Sequence, residues 1–366
     1  KLYSVLPADG VGDFTFSRNS AATRINKDGL IETVAVGKSR LNYPLIDGVV
    51  NGCPSHLLEP ERLQLIQYSE AFDNAYWSKN TGTTVTNNFA ISPNGTLNAT
   101  RFLGTGNIGI SRQFTTNSGQ NYTVSFYVKS NTNQNQNCRL LFDSSNVSSD
   151  FAVTTEWEKI SFTSNSGGLA NKAMGIFNGS NQGNIDILIY GAQLEEGSYA
   201  TSYIPNYGTS AGITRVAETA NGAGDASTFN DSEGVLMAEI SALVNDGDFR
   251  VISVSDGTSD NRVVIYYSND SKLKGFYRMG TVFNGIFSID NYDIKQNTKI
   301  IYKYKLNDFQ FWVNGFKLAS SNSGSVLSGN TFNTLNFNNG SSSEEFYGNT
   351  KQIQYFDSAL NDSDLE

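Results

Sequence analysis

The chain has 366 residues, room for roughly two globular domains of about 150 residues, each able to bury its own core. Charged residues make up only 17%, with 26 Lys and Arg against 35 Asp and Glu, for a formal net charge of −9. With no basic cluster longer than the "KLK" at Lys272, this balance excludes nucleic acid as a partner, because phosphate binding needs concentrated positive charge.

Asn, Ser, Thr, Gly, Tyr and Phe are abundant, which favours short strands and turns over helices. No run of about 18 apolar residues occurs, so no membrane insertion by a helix is expected. The opening "KLYSVLPADG" shows no signal-peptide pattern. Cys53 and Cys138 lie far apart without C-x-x-C spacing, which argues against a disulfide framework or a zinc site.

In chain order, residues 1–61 lack a strong core pattern and read as an extended N-terminal arm. Within it "TRINKDGLIETV" predicts a hairpin, with Asp28-Gly29 supplying the positive φ of its turn. The following stretch carries Pro44, Pro54 and Pro60 and reads as a connector that docks on other surfaces. Residues 62–206 hold a first strand series. It begins with "RLQLIQYSEAFDNAYWSKN", where Phe72, Tyr76 and Trp77 sit among polar residues with no lasting period. In "NYTVSFYVKS", Tyr122, Val124, Phe126 and Val128 face one way and Thr123, Ser125, Tyr127 and Lys129 the other, the alternation of a half-buried strand.

Residues 207–228 are small and polar and suit a linker. A second strand series fills 229–366, where Asn314-Gly315 is the strongest hairpin signal in the chain. The end, "IQYFDSALNDSDLE", predicts a strand and a short helix start capped by Asn361 or Asp362. The expected fold class is all-β: two tandem antiparallel β-sandwiches preceded by the arm.

Several ordered motifs carry a resemblance. "FTFSRNSAATRINKDGLIETVA", "HLLEPERLQLIQYSEAFDNAYWSK", "GAQLEEGSYATSYIPN" and "ITRVAE", over roughly residues 14–220, together resemble a modular arrangement of bacteriophage tail-fibre, spike and head-fibre proteins. The middle block is similar to a jelly-roll carbohydrate-binding module. The last block resembles a laminin-G or concanavalin A-like sandwich, through "FWVNGFKL" and the closing "IQYFDSALNDSDLE". By this resemblance the irregular aromatic segment wraps the first sandwich, and Phe72, Tyr76 and Trp77 are packing residues that plug its open side.

Sugar recognition needs flat aromatic faces beside amides and carboxylates. Strand parity puts Trp312 opposite the core-facing Phe311 and Val313, a reading that a one-residue register slip reverses. Tyr127 lies opposite the apolar face of its strand, and Tyr277 follows Phe276 in "KGFYRMG". Trp312, Tyr127 and Tyr277 are therefore the candidate carbohydrate-binding residues, with subunit contacts or core packing as their alternatives.

No cofactor is required, but a structural Ca²⁺ is an option. Asp256 and Asp260 share one loop, Asp246 and Asp248 another, and neither loop meets the EF-hand pattern. The jelly-roll resemblance adds Glu70, Asp73 and Asp186 as candidate metal ligands, while all these carboxylates also read as solvated acidic turns. Catalysis finds little support. His56 is the only histidine, no G-x-S-x-G elbow accompanies it, and Glu195-Glu196 and Glu344-Glu345 lack the alternate spacing of paired glycosidase acids and read as solvated turns.

The resemblance implies a non-enzymatic protein of the virion surface that presents glycan-binding sandwiches to the host, contacts other virion proteins and forms a homo-oligomer, with a trimer favoured. The alternatives are a purely structural head or tail decoration and a polysaccharide depolymerase.

Overall fold

The computed structural model describes residues 13–143, 146–168, 171–180 and 183–366, so residues 1–12 of the expected arm lie outside the described residues. Its described elements are strands apart from one 3-10 turn, Asp362–Asp364. The fold is all-β, with two packed-sheet units.

In the first sandwich one sheet runs Thr83–Ile91, Leu97–Thr105, Asn184–Glu196, Asn121–Ser130, Glu158–Asn165. The facing sheet runs Phe151–Val153, Gln136–Phe142, Asn171–Asn178, Gly109–Thr115, Ser78–Lys79. The expected alternation holds: Tyr122, Val124, Phe126 and Val128 enter the core beside Leu140, Phe142 and Ile176, and Tyr127 packs on the opposite face.

The second sandwich stacks a seven-stranded sheet on a five-stranded one. Asn314 and Gly315 have φ of 51° and 84°, the two left-handed residues of a tight hairpin, and they join Asp308–Val313 to Phe316–Ser321 with Val313 opposite Phe316. Phe309, Phe311 and Val313 then point into the core with Tyr302 and Tyr304.

The arm and the expected linker are woven into both units. Ser55–Leu58 pairs with Gly348–Phe356, placing His56 opposite Thr350, so the second sandwich is completed by a strand from far upstream. Thr15–Ser17 pairs with Thr219–Asn221, and Arg62–Gln64 pairs with Ile213–Arg215. The hairpin Ala22–Ile25 and Ile31–Val34 lies on the outer face of the first sandwich, Ile25 and Ile31 against Tyr127, Tyr190 and Tyr203. The segment read as a plain linker is thus a structural joint, because its backbone groups are taken up by strand pairing.

At this joint a buried ion network forms. Arg18 pairs with Glu218 at 2.6 Å, Arg215 with Glu59 at 2.8 Å, and Arg40 bridges Glu59 at 2.9 Å and Glu218. Burial alone raises the Glu59 pKa, but Arg215 and Arg40 outweigh it and hold the carboxyl at about 2. These charges come from "FSRNS", "GKSR", "LLEPER" and "ITRVAE", so most of the sequence motifs that carry the resemblance meet at one point.

Candidate functional site

The irregular segment after Arg62–Gln64 is anchored by its aromatics. Phe72 and Trp77 are buried against Phe126, with ring centroids 6.1 and 6.5 Å away, and Trp77 Nε1 donates to the Tyr68 carbonyl at 2.9 Å. Tyr76 lies under the Arg112 guanidinium, 4.1 Å from its ring centre. Each buried ring contributes about 2–3 kcal/mol, which holds a polar loop in one conformation.

That anchoring fixes Glu70, half-buried between the core and a surface cleft. Its Oε1 accepts from three phenols: Tyr190 at 3.0 Å, Tyr203 at 2.9 Å and Tyr207 at 3.2 Å. Its Oε2 accepts from Asn98 Nδ2 at 2.9 Å. Desolvation of its hydroxyl end, which reaches in to Glu70 while the ring stays exposed, and then the Glu70 charge push the Tyr207 pKa up to about 12, so the phenol remains a donor.

Tyr207 belongs to "IPNYG". The Asn206 side-chain oxygen accepts from the amides of Gly208 and Thr209 at 3.1 and 2.8 Å, making a tight turn, and the Asn206 amide donates to Ser69 Oγ at 2.9 Å. Gly208 has φ 126°, and a Cβ there would meet the Tyr68 ring at 3.2 Å. Only glycine suits that position, and the turn leaves Tyr207 with 73% of its surface exposed.

The cleft, about 350 Å³, is lined by Tyr68, Glu70, Asn74, Asn87, Asn88, Asn98, Asn206 and Tyr207, with no Lys or Arg. Asn87 is oriented by Asp73 and Thr100, and Asn88 sits at φ 52° within an irregular stretch of Thr83–Ile91. Asn98 Oδ1 is buried without a hydrogen-bond partner among the described residues. An exposed ring, a carboxylate without a cation and amides of both polarities make a surface for a hydroxyl-rich, uncharged molecule.

The residues expected from sequence fall elsewhere. Trp312 has the expected parity but is 3% exposed, because Leu360 and Leu365 of the closing segment cover its face of the sheet with Val235, Met237 and Ile301; its Nε1 donates to Gln310 at 2.9 Å. Tyr277 is fully buried in the core opposite Val263, while Phe276 takes the outer face, the reverse of the expected direction. Tyr127 does reach a cavity, the one between the two sandwiches.

The metal candidates are dispersed. Asp186 holds Arg101 through both oxygens at 2.8 and 2.7 Å, and Asp260 pairs with Arg278 at 2.9 Å. Asp256 accepts from Thr258 and Asn261 within its own loop, Asp73 from Asn87, and Glu70 from the phenols above. Among the described residues no group of three or more His, Cys, Asp and Glu side chains could hold an ion. Glu195 is also not the solvated turn residue expected: it is buried, accepts from Thr201 Oγ1 at 2.6 Å and Gln193 Nε2 at 2.7 Å, and faces Arg62 at 3.8 Å.

Sequence reasoning missed Tyr207 and read Glu70 as a metal ligand or a solvated acidic turn. The signal was a lone aromatic between Asn and Gly in a polar stretch, with no apolar neighbour to bury it against.

No protein-family model matches the chain, and no curated protein matches it. Among solved structures it is similar to the CBM40 of the Ruminococcus gnavus IT-sialidase, with a TM-score of 0.31 and 14% identity over 40% of this chain and 91% of that one. The CBM22-1 xylan-binding domain of Paenibacillus barcinonensis Xyn10C aligns with a TM-score of 0.30 and 13% identity over 38% and 94% of the two chains. The tandem CBM22-1-CBM22-2 domain of the same protein aligns over 80% of this chain and 96% of its own, with a TM-score of 0.30 and 9% identity.

Proposed function

We propose that this chain is a non-catalytic glycan-binding protein of a virion surface, a fibre or spike component that engages host glycans through the Tyr207 cleft. The observation that carries the binding role is the exposed Tyr207 ring, held by Glu70 beside amide side chains in a cleft without Lys or Arg. A pyranose lays its C–H face on the phenol ring while its hydroxyls donate to Glu70 and accept from Asn amides. One such site is weak, and a trimeric fibre multiplies it through effective concentration. The virion setting rests on the motif resemblance alone.

A glycan array probed with the intact chain tests this, alongside reducing-end release from the bound polysaccharides. Saturable binding without release supports the proposal; release makes the protein a depolymerase, and neither makes it a decoration protein. The decoration reading has one observation in its favour: Phe249, Phe283 and Ile286 are exposed on strands of the five-stranded sheet or beside them, at 37%, 45% and 63%, a surface suited to protein contact.

A further inference from the structure

We infer that the cavity between the two sandwiches is a second ligand site, selective for a sugar that carries a carboxylate. The cavity, about 430 Å³, lies within the range of about 300–1,000 Å³ usual for small-molecule sites. It is walled by Tyr127, Tyr199 and Tyr203 and receives the side chain of Lys159. The Lys159 ammonium lies 5.5 Å from the centre of the Tyr127 ring and donates to the Thr201 carbonyl.

The other charged groups of this cavity are already matched. Arg24 pairs with Glu32 at 2.9 Å, and Glu59 is shared by Arg40 and Arg215 while also accepting from the Ser202 amide and hydroxyl. Glu195, the other carboxylate that acts on Lys159, is taken by Thr201, Gln193 and Arg62. Lys159 has no carboxylate within 4 Å among the described residues, although burial lowers its pKa and so penalises the unneutralised charge. A protein of net charge −9 thus keeps a partly buried ammonium in the open cleft between its sandwiches. An incoming carboxylate neutralises it, and the tyrosine walls with Ser161 and Asn42 meet a sugar ring and its hydroxyls.

The test uses the intact chain at pH 7 with methyl β-glucuronide, methyl β-glucoside and acetate as probes, titrated calorimetrically. The glucuronide binds at least tenfold more tightly than either other probe, and Lys159→Gln abolishes that preference while Lys159→Arg keeps it. In wild-type protein, which avoids dependence on the folding of a variant, glucuronide slows acetylation of Lys159 at least tenfold by mass spectrometry. Equal affinity for the glucoside, equal affinity for acetate, a preference surviving in a folded Lys159→Gln, or unprotected Lys159 each overturns the inference. These results are separable from the Tyr207 reading, whose ligands carry no charge.

Discussion

Arg40 and Glu218 stand 178 positions apart in the chain and meet in a two-point ion pair with neither side chain exposed. Glu218 also holds Arg18 and accepts from the Glu59 amide at 2.9 Å, so it ties three points of the arm to the joint. Removing one partner of a buried pair leaves a desolvated charge, at about 3–5 kcal/mol. Glu218→Ala is therefore expected to lower the unfolding free energy in urea by that amount. A loss below about 1 kcal/mol means the network is not what fixes the joint.

His56 sets an acid sensitivity. Its ring lies between Phe16 and Phe337, at 6.0 and 6.3 Å, and neither nitrogen has a partner among the described residues. Burial, with Arg40 adding to it, holds its pKa at about 3, below the ordinary 6.5. A depressed folded value means that the neutral form's stability is full above pH 6.5 and is lost as pH falls towards 3, by up to about 1.4 kcal/mol per pH unit. The depressed Glu59 adds a loss only below its ordinary 4.5. Urea unfolding at pH 7, 6 and 5 should show this slope in wild type and a shallower one in His56→Phe; identical slopes would assign it to other groups.

Trp312→Ala is expected to cost about 3–5 kcal/mol of stability and to leave glycan affinity within twofold of wild type, since its ring packs on Leu365 and Met237. A stable variant that has lost binding would return Trp312 to the site.

Chelation should not matter. With Asp186 held by Arg101 and Glu70 by phenols, glycan affinity in EDTA is expected to stay within twofold of that in Ca²⁺. A tenfold drop would place an ion at the site.

The strands were legible because alternation along "NYTVSFYVKS" and the Asn314-Gly315 turn are local properties. Phe72 and Trp77 were legible as packing only through the module that their block resembles, since the polar segment around them has no period of its own. Trp312 was misread because parity assigns a side of the sheet but cannot show that Leu360 and Leu365 return to cover it. Tyr277 was misread because Phe276 and Tyr277 are adjacent aromatics and nothing local favours one of them for the core face. The joint escaped because Arg18, Arg40, Glu59, Arg215 and Glu218 are isolated charges in sequence, and only the long-range pairing of Ser55–Leu58 and Thr219–Asn221 brings them together.

Calorimetric titration of a neutral oligosaccharide selected on the array, into wild type and Tyr207→Ala, tests glycan binding at the cleft most directly. The exposed ring contributes nothing to the core, so the variant should unfold at the wild-type temperature and bind at least tenfold more weakly, a difference of about 1.4 kcal/mol. Wild-type affinity in Tyr207→Ala would contradict the account.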